Sequence, residues 1–175
     1  MTQRVTVLLG FVGAMWTVRA LDAIGLFGGH GIVPRTMYGL AGIVTAPFIH
    51  STWEHLFANT MPLLILGALV MINGVREFVF VTVVCALVAG FGTWLFGSFG
   101  NHVGASGIVF GYVGYLLYRP AVDGKLWSVA IAIAVGVLYS GALVTSLIPT
   151  YGVSWSGHFF GFLGGLYAAR ARRLS

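Results

Sequence analysis

Charge is what this 175-residue chain has least of: 7% of its residues are Asp, Glu, Lys or Arg, and only four of them are acidic, Asp22, Glu54, Glu77 and Asp123. A soluble domain of this length needs a charged surface. The scarcity, together with 58% hydrophobic residues and a mean hydropathy of +0.96, excludes one and points to a polytopic membrane protein. Cysteine is nearly absent as well. The single Cys85 lies in an apolar run, which rules out an internal disulfide and reads as a buried, inert thiol. Nine basic residues give a net charge of +5, but they gather at the ends of apolar segments. There they report topology, and nucleic acid is excluded as a partner. No linker or low-complexity tract is visible, so the expected organisation is one domain over 1–175.

What the chain does have is apolar runs separated by glycine and proline. Six spans are expected, over about 5–27, 55–73, 78–96, 106–118, 127–148 and 157–169, giving an all-α polytopic membrane helical bundle with six transmembrane helices. The first resembles a signal-peptide core behind Arg4, yet Trp16, Arg19 and Asp22 follow where a small-residue cleavage site would stand, so it reads as a retained helix. Turn formers separate the spans: Gly28, Gly29, Gly31 and Pro34 after the first, residues 97–101 before the fourth, and 149–152 before the last. Arg4, Arg76, Arg119, Lys125, Arg170, Arg172 and Arg173 share one side, against Arg35 on the other, so the positive-inside rule puts both termini in the cytoplasm. Arg19 and Asp22, three residues apart, are expected to pair on one helix face.

Two of the spans are short and begin with reactive groups. Ser106 stands 13 residues before Arg119, about 20 Å of helix at about 1.5 Å per residue, against a hydrocarbon core of about 30 Å. His158 stands 12 residues before Arg170, which places it at a matching depth below the outer surface. Gly107 and Gly111 line one helix face and Gly157 and Gly161 line the other, and small residues let helix backbones approach closely. A serine hydroxyl becomes a nucleophile when a base takes its proton, and neutral histidine is the usual base near pH 7. None of the four acids falls where it would orient that base, so the expectation is a Ser106–His158 dyad rather than a triad. Asn59, with His55 one turn before it, the free N–H of Ser106 and His50 from the loop are candidate donors for an oxyanion. A metal site is not expected, because the five histidines form no HExxH pair and the cysteine is on another span. His30 and His102 read as solvated loop residues, His102 beside the approach to Ser106.

The HxxxN pattern His55–Asn59, then Gly104-Ala105-Ser106-Gly107, then Gly157-His158-x-x-Gly161, in that order on alternate spans, resembles the rhomboid intramembrane serine proteases. Residues 31–35 and 46–50 are also similar to the first loop of many bacterial rhomboids. The resemblance implies Ser106 as nucleophile and His158 as general base. It implies an oxyanion hole from His55, Asn59 and the amide of Ser106 beside Gly104, with His50 as a further contributor. It also implies transmembrane protein substrates cut near the outer end of their helices, no cofactor, and a setting in the lipid bilayer of a bacterial plasma membrane. Where many members have a tyrosine four residues after the serine, this chain has Phe110, whose ring can still stack on the histidine. Two other readings compete. A catalytically inactive rhomboid-like protein that binds membrane helices would be expected to lack Ser106 or His158. A transporter would need polar residues beyond the outer half of the membrane.

Overall fold

The apolar runs resolve into helices throughout. The computed structural model describes residues 2–146, 148 and 153–172. Its elements are α1 (Thr2–Ala23), a one-turn α2 (Gly42–Thr45) between the 3-10 turns Tyr38–Leu40 and Ala46–Phe48, α3 (Trp53–Val70), α4 (Val75–Phe96), α5 (Ser106–Asp123), α6 (Leu126–Ser146) and α7 (Trp155–Ala171). No strand forms among the described residues; a lone antiparallel bridge joins Ile32 to His102. Among the described residues, four helices are long and apolar enough to cross a membrane: α1 from Gln3, α3 with its 3-10 extension to Asn73, α4 and α6. Large apolar side chains such as Leu126, Ile133, Val137 and Leu138 on α6 face outward, as the surface of a bundle immersed in lipid requires.

Several helix ends differ from expectation. α1 stops at Ala23, where Gly25 in a positive-φ conformation turns the chain and the Gly25 and Leu26 N–H groups donate back to the Asp22 and Leu21 carbonyls, so residues 24–26 form a turn. α5 begins at Ser106 as expected but continues past Arg119 to Asp123, carrying Pro120 inside its last turn. Gly124, with φ 62°, ends it in the left-handed conformation that glycine adopts most easily, its N–H donating to the Pro120 carbonyl at 3.0 Å. α3 starts under a side-chain cap, Thr52 Oγ1 accepting from the His55 N–H at 3.1 Å. The expected turn at 149–152, the last residues of the fifth expected span and Arg173 lie partly or wholly outside the described residues.

α5 runs through the middle of the bundle, packed on α3, α4, α6 and α7, while α7 packs on α4 and α5. Tyr112, Tyr115, Leu56, Leu63, Val81 and Cys85 are fully buried in the core. Glycine sets the α5–α7 separation. A Cβ on Gly161 would stand 2.8 Å from the Gly107 carbonyl carbon, and one on Gly165 would stand 2.7 Å from the Tyr115 nitrogen. Backbone therefore lies on backbone along this seam. At the end of the bundle away from Ser106, polar groups tie the helices together. Glu77 of α4 pairs with Arg119 of α5 at 3.2 Å and Arg172 beyond α7 at 2.7 Å, and accepts from the Tyr115 hydroxyl at 2.6 Å. Arg119 also meets Asp123, which accepts from Ser128 of α6 at 2.7 Å. The Arg19–Asp22 pair forms at 2.8 Å, with the guanidinium over the Trp53 ring.

Candidate active site

Ser106 is the first residue of α5, and its position depends on the glycine two before it. Gly104 has φ +109°, which an L side chain rarely adopts, and a Cβ there would stand 2.6 Å from His55 Nε2. Its N–H donates to the Ala46 carbonyl at 2.9 Å, tying the serine loop to the first loop of the chain. As the opening residue of a helix, Ser106 has no carbonyl one turn earlier to receive its N–H, so this donor is available at the site.

His158 lies in the first turn of α7, its N–H bonded to the Ser154 carbonyl at 3.1 Å. Its Nε2 is 2.9 Å from Ser106 Oγ. Its Nδ1 is 3.3 Å from the main-chain carbonyl of Ser146, at the end of α6. A carbonyl oxygen only accepts, so the Nδ1 carries the proton and Nε2 presents a lone pair to the serine hydroxyl. Phe110, one turn after Ser106, stacks on the imidazole with ring centroids 4.4 Å apart and planes 26° from parallel. The orienting role that an acid would fill is thus open to the Ser146 carbonyl; Glu77 and Asp123 are engaged with arginines at the other end of the bundle. No residue signature in the sequence marks a main-chain oxygen for this role.

His55 and Asn59 stand one turn apart on α3 and, with Ser106 and His158, line a cavity of about 1020 Å³. The Asn59 amide nitrogen donates to the His55 carbonyl at 2.9 Å, leaving its second hydrogen for the cavity. His55 Nδ1 meets Ser51 Oγ at 3.3 Å. His50 is placed differently. It is 1% exposed, with its ring edge against His55 at 5.0 Å, and it lies behind that residue rather than among those lining the cavity. Its Nδ1 faces the Phe48 carbonyl at 3.4 Å, and its Nε2 has no hydrogen-bond partner among the described residues. Burial, and after it the neighbouring His55, hold the His50 imidazole at about 4, so it is neutral at pH 7. Gly107 and Gly157 lie at the start of the α5–α7 seam, and Gly111 and Gly161 lie one turn further along it. Among the described residues, no three His, Cys, Asp or Glu side chains are gathered as metal ligands. His102 is not the solvated loop residue expected: its ring is held on both nitrogens, by Ser154 Oγ at 2.7 Å and the Ser98 carbonyl at 2.8 Å.

The family model described as the Rhomboid domain matches residues 37–173, from the first loop through α7. The chain belongs to the rhomboid family. Among similar proteins, an uncharacterized protein of Mycobacterium tuberculosis is 37% identical over 176 residues, covering 94% of this chain and 73% of that protein. An uncharacterized protein of Mycobacterium leprae is 34% identical, covering 93% and 68%. A Bacillus subtilis protein named as a candidate rhomboid protease, YdcA, is 25% identical, covering 92% and 84%. This rhomboid is therefore an integral membrane protein whose family match takes in both the Ser106 and the His158 helix starts.

Proposed function

We propose that this rhomboid is an intramembrane serine endopeptidase that cuts the transmembrane helices of membrane-protein substrates near their outer end. The observation that carries the reading is the 2.9 Å approach of Ser106 Oγ to His158 Nε2 at a cavity large enough to admit an unwound peptide segment. In this reading His158 takes the hydroxyl proton as Ser106 Oγ attacks the scissile carbonyl, and the imidazolium is steadied by its Nδ1–H on the Ser146 carbonyl. The Ser106 N–H, the Asn59 amide and the His55 ring receive the charge that develops on the carbonyl oxygen, with His50 supporting His55 from behind. The proton then passes from His158 to the leaving amine as the peptide bond breaks, leaving an ester on Ser106. A water molecule gives its proton to His158 and its oxygen to the acyl carbon, and the serine hydroxyl is restored.

The chain forms a single membrane domain in a bacterial plasma membrane, with both termini cytoplasmic, as the basic residues on one side favour. The experiment co-expresses the protein with single-span reporter proteins beside Ser106→Ala and His158→Ala, and treats detergent-purified samples with a fluorophosphonate that phosphonylates activated serines. Reporter cleavage and labelling at Ser106, both lost in each variant, are expected. A wild-type protein that neither cuts nor labels would support the inactive helix-binding reading instead.

A further inference from the structure

Ser106 and His158 are 52 residues apart, and so is a second serine–histidine contact with the two types exchanged. His102 stands four residues before Ser106, Ser154 stands four before His158, and His102 Nδ1 lies 2.7 Å from Ser154 Oγ. His102 Nε2 faces the Ser98 carbonyl at 2.8 Å, so Nε2 carries the proton and the Ser154 hydroxyl donates to Nδ1. The main chain of His102 is fixed independently, pairing with Ile32 in both directions at 2.8 and 2.9 Å. Gly31 packs so closely on the His102 carbonyl that no side chain would fit there.

Ser154 precedes the first helical residue of α7, where a serine hydroxyl ordinarily caps the free N–H groups of the first turn. It makes no such capping bond among the described residues; its hydroxyl turns to His102. The helix forgoes a local stabilisation, and the group that receives the hydroxyl belongs to the loop that leads into α5.

The glycine seam explains what such a tie would do. Side chains that interdigitate resist sliding of one helix along another, but backbone against backbone offers few knobs to resist it. The register of α7 on α5 near the site is then left to polar ties at the helix starts. One is the Ser106–His158 bond, which catalysis must break and remake. The neighbouring contact of Ser156 Oγ with Thr93 Oγ1, at 3.5 Å, reaches the end of α4 and so ties α7 to α4 rather than to α5. We propose that His102, acting through Ser154, is a positioning residue that holds the start of α7 in register with Ser106 while the catalytic proton moves. This inference rests on the proteolytic reading of the site.

The test uses the purified full chain with His102→Phe, Ser154→Ala, the double variant and Ser154→Thr, which keeps a hydroxyl. Cleavage of a transmembrane reporter gives kcat and KM, fluorophosphonate labelling gives the reactivity of Ser106, and thermal unfolding reports the fold. A displacement of the order of 1 Å at the dyad predicts a fall of about 10- to 100-fold in kcat and in labelling rate for either single variant, with KM within about twofold. The double variant should lose no more than the worse single variant, and Ser154→Thr should restore most of the rate. In His102→Phe the freed Ser154 hydroxyl can cap α7, so the unfolding midpoint should hold while kcat falls; a merely structural tie would lower the midpoint. An active wild type with unchanged kcat in both single variants, or with losses that multiply in the double variant, overturns the assignment. A wild type that neither cuts nor labels at Ser106 overturns the proteolytic reading itself, and this assignment with it.

Discussion

Replacing Gly161 by alanine tests whether the backbone-to-backbone seam sets the distance between Ser106 and His158. The added Cβ would stand 2.8 Å from the Gly107 carbonyl carbon and closer still to its oxygen, whereas ordinary contact begins at 3.4 Å. The obstacle is main chain on both sides, so no rotamer change relieves it. α5 and α7 must separate by at least 0.6 Å (3.4 − 2.8), and further once the oxygen is cleared. Added to the 2.9 Å between Ser106 Oγ and His158 Nε2, that shift carries the pair to 3.5 Å or beyond, the edge of hydrogen-bond reach. Overpacking of this kind costs about 1–3 kcal/mol of stability, and misplacing the base by roughly 1 Å costs about 100-fold in rate. The assay is reporter cleavage in detergent micelles, with kcat normalised to the folded fraction measured by thermal unfolding. Gly10→Ala on α1, with nothing within 4 Å of the new methyl, serves as the control and should keep full activity. A Gly161→Ala protein with kcat within twofold of wild type would refute the reasoning, because the seam would then have absorbed the methyl without moving the dyad.

Asn59→Ala should lower kcat by about 100- to 1000-fold with little change in KM, the loss seen when one oxyanion donor is removed, as steady-state cleavage kinetics would show. Phe110→Tyr should keep the stack on His158 and most of the activity, whereas Phe110→Ala should lower kcat by about 10-fold, since stacked rings contribute about 0.5–1.5 kcal/mol beyond their burial. Glu77→Gln removes the charge shared by Arg119 and Arg172 and should cost about 3 kcal/mol in denaturant unfolding, leaving kcat per folded molecule unchanged. His50 is held at about 4 in the fold but titrates near 6.5 in the unfolded chain, which therefore binds the extra proton between those values. Stability should fall as pH is lowered from 6.5 toward 4, and the fall should be smaller in His50→Asn, as denaturant titrations at pH 7 and pH 5 would show.

Ser106 and His158 could be paired from sequence because each leaves a mark there: a reactive side chain beside a glycine, and an arginine at a measurable distance further along. The glycines were readable for the same reason, since a helix face without side chains is useful mainly where another backbone comes close. The end of α5 was not readable. Pro120 argues for a helix stop near residue 118, but a proline in the last turn forfeits little when the following Gly124 supplies a left-handed close and Arg119 is held by Glu77 and Asp123. The clamp on His102 leaves no mark in the sequence, because a histidine in a polar, glycine-rich loop looks the same whether it is solvated or clamped. Only the fold brings Ser154 to its Nδ1. Nearness to His55 in the chain groups His50 with the oxyanion donors, whereas the turn into α3 sets it behind that ring.

The carbonyl that faces His158 Nδ1 has a consequence for how this site would look to genetics. Every residue type carries a main-chain oxygen, and the Ser146 hydroxyl is occupied elsewhere, donating to the Ala142 carbonyl within α6. On the proteolytic reading, saturation mutagenesis at position 146 would thus pass over the group that steadies the base, and a screen would score the side chains of Ser106 and His158 but not the third group that works with them. Semisynthesis that replaces the amide following Ser146 with an ester, whose carbonyl is a weaker acceptor, would expose the third. On that reading the hidden member of the site belongs to the chain's backbone and so lies beyond the reach of side-chain substitution.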